Sequence, residues 1–291
     1  MKQLAIEMQG VAKRFGSHAA IDGVNLQVRA GEIFGFLGPN GAGKTTTIRC
    51  LMNFLRPNEG SIEVLGLDAG RDSVAIKRLV GYIPSDHHLV DRWSGRDHIH
   101  YVMRLRGESD LPQELIRQLS LDIDRPVKQL SSGNKQKLAI ILGLIGSPQL
   151  LILDEPTQGL DPLFQNAVYE LLMNFRASGG TVFVSSHNLP EVQRICDRVG
   201  IIREGKVVAE ESLESLREKS QHIVRARFAK PLAKSALKLG GVELVRHHGA
   251  EVELKVLGSL NPALKLLSRH DVVDLEVTHA SLEEIFMEMY S

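Results

Sequence analysis

The sequence predicts an α/β fold, a mostly parallel sheet with helices on its faces, followed by a small α+β unit. Three observations carry this. Short apolar runs alternate with segments of helical period along most of the chain. The run Glu32-Ile33-Phe34-Gly35-Phe36-Leu37 suits a buried strand and feeds a glycine-rich turn and then a helix-like segment. Beyond about residue 220 the rhythm changes to β-α-β-β-α-β.

The elements follow in order. Leu4 to Met8 and Val24 to Val28 alternate like strands, and 32–37 is the buried strand. Gly60 to Val64 and Val80 to Pro84 read as strands, the second stopped by its proline. Residues 94–121 read as mainly helical, broken at Gly107 and Pro112. Ser132 to Ile145 carries Leu138, Ile141, Leu142 and Ile145 at i, i+3, i+4, i+7, one apolar helix face. Gln149 to Leu153 is a buried strand. Asp161-Pro162 opens a helix, with Asp as N-cap and Pro in the first turn. Thr181 to Val184 is a strand, and Asn188 to Glu191 has a capping pattern that starts another helix. Ser212 to Ser220 is charged and helix-like. Then come a strand (222–228), helix (232–239), two strands (242–247 and 251–257), helix (261–268), strand (271–278) and helix (281–290). That order resembles a ferredoxin-like unit, so 221–291 is expected to form a second domain after a first domain of residues 1–220.

The whole-chain numbers narrow the function classes. Lys plus Arg number 35 and Asp plus Glu number 35, so there is no basic bias toward nucleic acid or anionic membrane. No apolar run approaches the ~20 residues that cross a bilayer. Glu7 interrupts the place of a secretory leader. These features point to a cytoplasmic protein. Cys50 and Cys196 lack any metal spacing and read as buried small hydrophobes. The paired histidines His87-His88, His98, His100 and His247-His248 lack an accompanying ligand set and read as surface residues.

Gly38-Pro39-Asn40-Gly41-Ala42-Gly43-Lys44-Thr45 is a complete G-x-x-x-x-G-K-[ST] loop. The glycines let successive N–H groups turn into one concavity. The helix expected from Lys44 through Thr46 onward presents its positive end to a phosphate. Lys44 reaches the β- and γ-phosphates, and the Thr45 hydroxyl suits Mg²⁺. The dinucleotide pattern G-x-G-x-x-G fails, because its third glycine falls on Thr46.

Leu150-Leu151-Ile152-Leu153 ends in Asp154-Glu155. Two acids at the end of a buried strand call for a cation or a reaction unless the strand end reaches solvent. Asp154 suits Mg²⁺, and Glu155 suits activation of a water aimed at the γ-phosphate.

With these motifs in one chain, the sequence resembles the nucleotide-binding subunits of ATP-binding cassette (ABC) transporters over about residues 4–217. Leu130-Ser131-Ser132-Gly133-Asn134 stands where the family carries its LSGGQ signature. Gly159-Leu160-Asp161 matches the loop after the catalytic glutamate, with Asp161 coupling the dimer. His187 matches the switch histidine, and Phe15 the aromatic that stacks on adenine. The resemblance implies a P-loop NTPase of ABC type with a helical subdomain at about 85–146. It implies ATP and Mg²⁺ as ligands, and Glu155, His187 and Lys44 as the catalytic set. Each ATP would lie between the glycine loop of one subunit and Ser131, Ser132, Gly133 and Asn134 of another, in a homodimer or a heterodimer. A separate multi-span membrane subunit would form the pathway, with the protein peripheral on the cytoplasmic face of the bacterial inner membrane.

The segments 81–107 and 281–286 look like bacterial ATPases that serve drug, lipid or ion exporters. Trp93, Arg92 and Arg96 fall in the region where the family docks its membrane partner. The chain also departs from the family. Ser85-Asp86 follows Pro84 where a glutamine or glutamate is usual, which leaves Asp86 as a candidate toward Mg²⁺ through a water. The signature carries Ser132 for Gly and Asn134 for Gln. Two other functions stay open on the sequence: a soluble ABC ATPase acting on a non-transport partner, and a regulatory module that holds ATP with little turnover.

Overall fold

The computed structural model describes residues 3–107, 111–218, 221–237, 240–257 and 259–279. The chain divides into two compact units, Met1–Glu210 and Glu211–Ser291.

In the first unit the order is β1 (Leu4–Phe15), β2 (His18–Arg29), β3 (Ile33–Leu37), α1 (Lys44–Leu51), β4 (Glu59–Val64), β5 (Leu67–Asp68), α2 (Ser73–Leu79) and β6 (Val80–Ile83). Then come α3 (Gly95–Arg106), α4 (Leu111–Gln118), α5 (Ser132–Leu144), β7 (Leu150–Asp154), α6 (Pro162–Ala177), β8 (Thr181–Ser186), α7 (Leu189–Ile195), β9 (Arg198–Arg203) and β10 (Lys206–Ser212), the last crossing the unit boundary.

Two sheets result, where the sequence suggests one. The six-stranded sheet has the order β10-β9-β3-β8-β7-β6, with β9–β3, β3–β8, β8–β7 and β7–β6 all parallel. The strands β2-β1-β4-β5 form a separate antiparallel sheet. The reason lies in the two burial patterns. Val24, Leu26 and Val28 are buried while Asn25, Gln27 and Arg29 are exposed, the alternation of a strand with one solvated face. Strands β3 and β7 are buried at every position, as strands covered on both faces must be. Strands β1 and β2 are also much longer than the five-residue runs expected, because their polar residues pair as well as their apolar ones.

The core between the sheets stacks Phe34 on Phe183 and sets Phe36 against Phe183, with Ile48 and Leu51 of α1 in the same cluster. Burial of each such side chain contributes on the order of 1.5–3 kcal/mol. Helices α3 and α4 pack against α5. Strand β6 lies very close to α5: a Cβ on Gly81 would stand 2.2 Å from the carbonyl oxygen of Gly143. The capping box of α3, Ser94 with Asp97, fixes the start of that helix. Cys50 and Cys196 are buried, and burial pushes both thiols up, Cys50 to about 11.

The second unit contains α8 (Leu213–Glu218), β11 (Gln221–Phe228), β12 (Val242–His248), β13 (Glu251–Leu257), α9 (Asn261–Leu267) and β14 (Val272–His279). Its sheet has the order β12-β13-β11-β14 and is antiparallel at each pairing. Val224, Ala226, Leu254 and Val256 form its core with Ala263 and Leu267 of α9. The helix expected over 232–239 is described as a 3-10 turn, Lys234–Leu237. The helix expected over 281–290 lies outside the described residues.

Candidate functional site

Parallel register brings three strand ends to one edge. Leu37 of β3 stands beside Ser186 of β8, and Asp154 of β7 stands beside Ser185. The chain leaves each strand there: into Gly38–Gly43, into Glu155 and into His187. A crevice at the carboxyl ends of parallel strands is where α/β sheets bind ligands.

The glycine loop needs its glycines. Gly41 and Gly43 have φ of 81° and 111°, which L side chains rarely adopt. A Cβ on Gly38 would lie 2.4 Å from the Ile202 carbonyl oxygen. Helix α1 then begins with no side-chain cap and no acid in its first turn, so its positive end is left to a ligand. Pro39 and Asn40 are exposed, Ala42 is buried, and Thr46 is half-buried.

Lys44 is buried, and its Nζ donates to the Gly38 carbonyl at 2.6 Å and the Pro39 carbonyl at 3.2 Å. The same Nζ stands 3.1 Å from Glu155 Oε1, an ion pair without hydrogen-bond geometry. Glu155 Oε2 lies 2.7 Å from His187 Nδ1. The carboxylate therefore bridges a fixed cation and a histidine whose ring is 43% exposed. Glu155 holds φ at +51°, and its N–H donates to Ser185. A left-handed non-glycine residue costs about 1–2 kcal/mol, and such strain gathers where a side chain must be aimed.

Asp154 is 1% exposed. Its Oδ1 accepts from Ser185 Oγ at 2.6 Å, and its Oδ2 accepts from Thr45 Oγ1 at 2.8 Å and Ser85 Oγ at 3.3 Å. Asp86, the candidate from the same loop, is 86% exposed, and the partner of its carboxylate is His88 Nε2 at 3.9 Å. Ser85 is exposed as well, but Pro84 ends β6 beside β7 and the Ser85 hydroxyl that follows reaches Asp154. No group of three or more His, Cys, Asp or Glu able to hold a metal by itself occurs among the described residues. Thr45 and Asp154 instead suit a Mg²⁺ that takes its other ligands from phosphate and water.

The signature residues stand apart from this cluster. Ser131 and Ser132 are exposed, Gly133 and Asn134 are half-buried, and Ser131 Oγ caps α5 by accepting from the Asn134 N–H at 3.3 Å. Asp161 caps α6 by accepting from the Phe164 N–H at 2.9 Å. Phe15 is 49% exposed, with Lys13 Nζ 5.4 Å above its ring.

Two residues around the site carry no motif. Gln136 of α5 is buried, donates to the Pro156 carbonyl at 2.8 Å and contacts His87 Nε2. Glu191 of α7 is buried and accepts from Thr157 and Ser186. In the sequence Glu191 shows only as a helix-start signal. Three histidines expected at the surface are not there; His247, in the second unit, is half-buried with its Nε2 2.8 Å from the Leu232 carbonyl oxygen. His98 is buried, accepts from the Val90 N–H at Nε2 and binds the Ser94 carbonyl at Nδ1, and His87 is half-buried against Gln136. Both serve the loop before α3, where Trp93 rests against His98 and Tyr101.

The geometry has counterparts. The family described as ABC transporter matches residues 21–158. The chain is 35% identical over 230 residues to the Nod factor export ATP-binding protein I of Rhizobium sp. (strain N33), covering 77% of this chain and 75% of that protein. It is 36% identical over 224 residues to the daunorubicin resistance ATP-binding protein DrrA3 of Streptomyces coeruleorubidus, covering 75% and 71%. A solved structure described as the ATP binding subunit of an ABC transporter superposes with a TM-score of 0.68 at 29% identity, covering 73% of this chain and 92% of that one.

Proposed function

The chain belongs to the ABC transporter family of ATP-binding, ATP-hydrolysing subunits, and from that we propose that it dimerises around ATP and powers export through a separate membrane-spanning partner. The observation that carries the reading is Glu155, held between Lys44 and His187 at the end of β7.

Lys44 and the start of α1 bind the phosphates, and Phe15 offers its exposed ring to the base. Glu155 takes the proton of the attacking water, and His187 orients Glu155 and faces the γ-phosphate. Thr45 and Asp154 would hold Mg²⁺, with Ser85 beside them; the ion would neutralise charge on the phosphates. Ser131, Ser132, Gly133 and Asn134 lie outside the cluster, so they serve the ATP of a second copy, with Asp161 fixing the neighbouring loop. A two-fold dimer is the simplest closed arrangement that completes both sites.

Export follows the two relatives above, whose names state export of Nod factor and resistance to daunorubicin. Among the described residues no helix is long and apolar enough to cross a membrane, which fits a separate pathway subunit and a place on the cytoplasmic face. The loop from Pro84 to Trp93, with Arg92 and Arg96, is the docking surface we assign to it. We read residues 221–291 as an accessory domain of ferredoxin-like topology, supported by the sheet order β12-β13-β11-β14 and by α9.

The test is phosphate release by wild type and Glu155→Gln, with dimer content followed by size exclusion. The variant is expected to bind ATP, hydrolyse poorly and accumulate as an ATP-dependent dimer. Wild-type turnover in the variant would overturn the assignment, and a wild type that binds ATP without turnover would favour a regulatory module.

A further inference from the structure

Glu191 sits on α7, four residues past His187, and its carboxylate is buried. Its Oε1 accepts from Thr157 Oγ1 at 2.5 Å, and its Oε2 accepts from Ser186 Oγ at 2.6 Å. Thr157 is two residues past Glu155, and Ser186 is the residue before His187. Glu155 and His187 are themselves 2.7 Å apart. The contacts close a ring: Glu155, Pro156, Thr157, Glu191, Ser186, His187 and back to Glu155. The Ser186 carbonyl also accepts from the Gly38 N–H at 3.2 Å, so the ring touches the first residue of the glycine loop.

We propose that Glu191 is a positioning residue that clips the segment after Glu155 to the segment before His187, and so fixes the Glu155–His187 contact on which hydrolysis depends. The proposal rests on the reading of Glu155 and His187 given above. A carboxylate is the one side chain of this length that accepts two hydroxyl protons in opposite directions without donating any. Both bonds are charge-assisted and short, the strong class. Burial raises the Glu191 proton affinity and the two hydroxyls lower it, so the group is costly to place there. A simple apolar residue would pack α7 as well. Each end of the clip touches a segment that carries a group of the site, and neither touches Lys44, Asp154 or the signature residues. Its loss should therefore move turnover rather than nucleotide affinity.

The experiment measures kcat for phosphate release and Kd for a fluorescent ATP analogue in the full chain, for wild type and for Glu155→Gln, Glu191→Ala, Glu191→Gln and Thr157→Val. Glu191→Ala is expected to lower kcat about 10²-fold, the scale of a misplaced catalytic group, with Kd held within about threefold. Glu191→Gln keeps one acceptor, and its amide N–H₂ meets a hydroxyl turned to accept, so most of kcat should return. Thr157→Val cuts one arm and should fall between them; it decides the matter if Glu191→Ala does not fold. A Glu191→Gln as slow as Glu191→Ala would show that charge, not the clip, is what matters, and would overturn the proposal. So would wild-type kcat in Glu191→Ala or Thr157→Val, or equal losses in kcat and affinity. Wild-type turnover in Glu155→Gln would instead overturn the site assignment, and the clip with it.

Discussion

Lys44 Nζ stands 3.1 Å from Glu155 Oε1, so the phosphate loop and the end of β7 are joined through one ion pair that is almost wholly out of water. The ammonium is held further by the Gly38 and Pro39 carbonyls. On the proposed function, a triphosphate entering the loop would compete with the carboxylate for the same cation. Glu155 freed from that cation would turn toward the attacking water while keeping its contact with His187 through its other oxygen.

Two opposite effects follow at this pair. Glu155→Gln removes the anionic competitor, so nucleotide affinity should hold or rise while turnover falls roughly 10²–10⁴-fold, the usual worth of a general base. Lys44→Ala removes charged hydrogen bonds worth about 1.5–3 kcal/mol, so affinity should drop on the order of tenfold to a hundredfold. Isothermal titration beside a phosphate-release assay separates the two. Unchanged affinity in Lys44→Ala would defeat the description of the loop.

Glu191 gives the chain a pH signature. Its folded pKa is raised from the ordinary 4.5, first by burial and also by the charge of Glu155, while the Ser186 and Thr157 hydroxyls and His187 oppose the rise. Between 4.5 and that raised value the folded state binds more protons than the unfolded one. Stability from this group is therefore full below about 4.5 and is lost as pH rises through the folded pKa. Glu191→Gln does not titrate. Denaturant midpoints of the two proteins, measured from pH 4.5 upward, should shift in favour of the variant as pH rises. A constant difference would contradict the burial of a costly carboxylate.

The glycine loop, Asp154-Glu155 and the strands that carry them are legible in the sequence because their chemistry is local. Glycine spacing sets the backbone, and a buried strand that ends in acids reveals itself without partners. Glu191, Gln136 and Ser85 are not legible, because each acts through residues 5 to 69 positions away that only the fold brings near. The antiparallel sheet is missed for a related reason. A strand's period says which faces are wet, but nothing local says that β1 turns back on β2 rather than joining β3. His98 misleads in the other direction: a polar residue on a helix reads as surface until its two nitrogens are seen to hold Val90 and Ser94.

Strand β6 and helix α5 meet at Gly81 and Gly143, and the approach leaves no room for a methyl group. A Cβ on Gly81 would lie 2.2 Å from the Gly143 carbonyl oxygen and 2.6 Å from Leu151 Cδ2. Backbone cannot swing aside as a side chain can. Gly81→Ala should therefore cost about 1–3 kcal/mol of stability, the range for overpacking a filled core. Chemical denaturation would show it as a lower midpoint with an unchanged slope. Gly133→Ala, whose Cβ meets only Leu160 Cδ2 at 3.8 Å, should leave stability nearly untouched and makes the control.

The loop after β6 offers two residues to the proposed Mg²⁺ site, and the geometry separates them. Ser85 Oγ lies 3.3 Å from Asp154 Oδ2, the oxygen that also accepts from Thr45, whereas Asp86 points to solvent beside His88. If Thr45 and Asp154 hold Mg²⁺, Ser85 borders the ion and Asp86 does not. Hydrolysis titrated with free Mg²⁺ should then require several times more metal in Ser85→Ala, since one neutral hydrogen bond is worth about 0.5–1.5 kcal/mol. Asp154→Asn should need far more, because it removes the charge that the cation meets. Asp86→Ala should follow the wild-type curve. A large shift in Asp86→Ala with none in Ser85→Ala would mean that the loop turns over when nucleotide binds, exchanging the two side chains at Asp154.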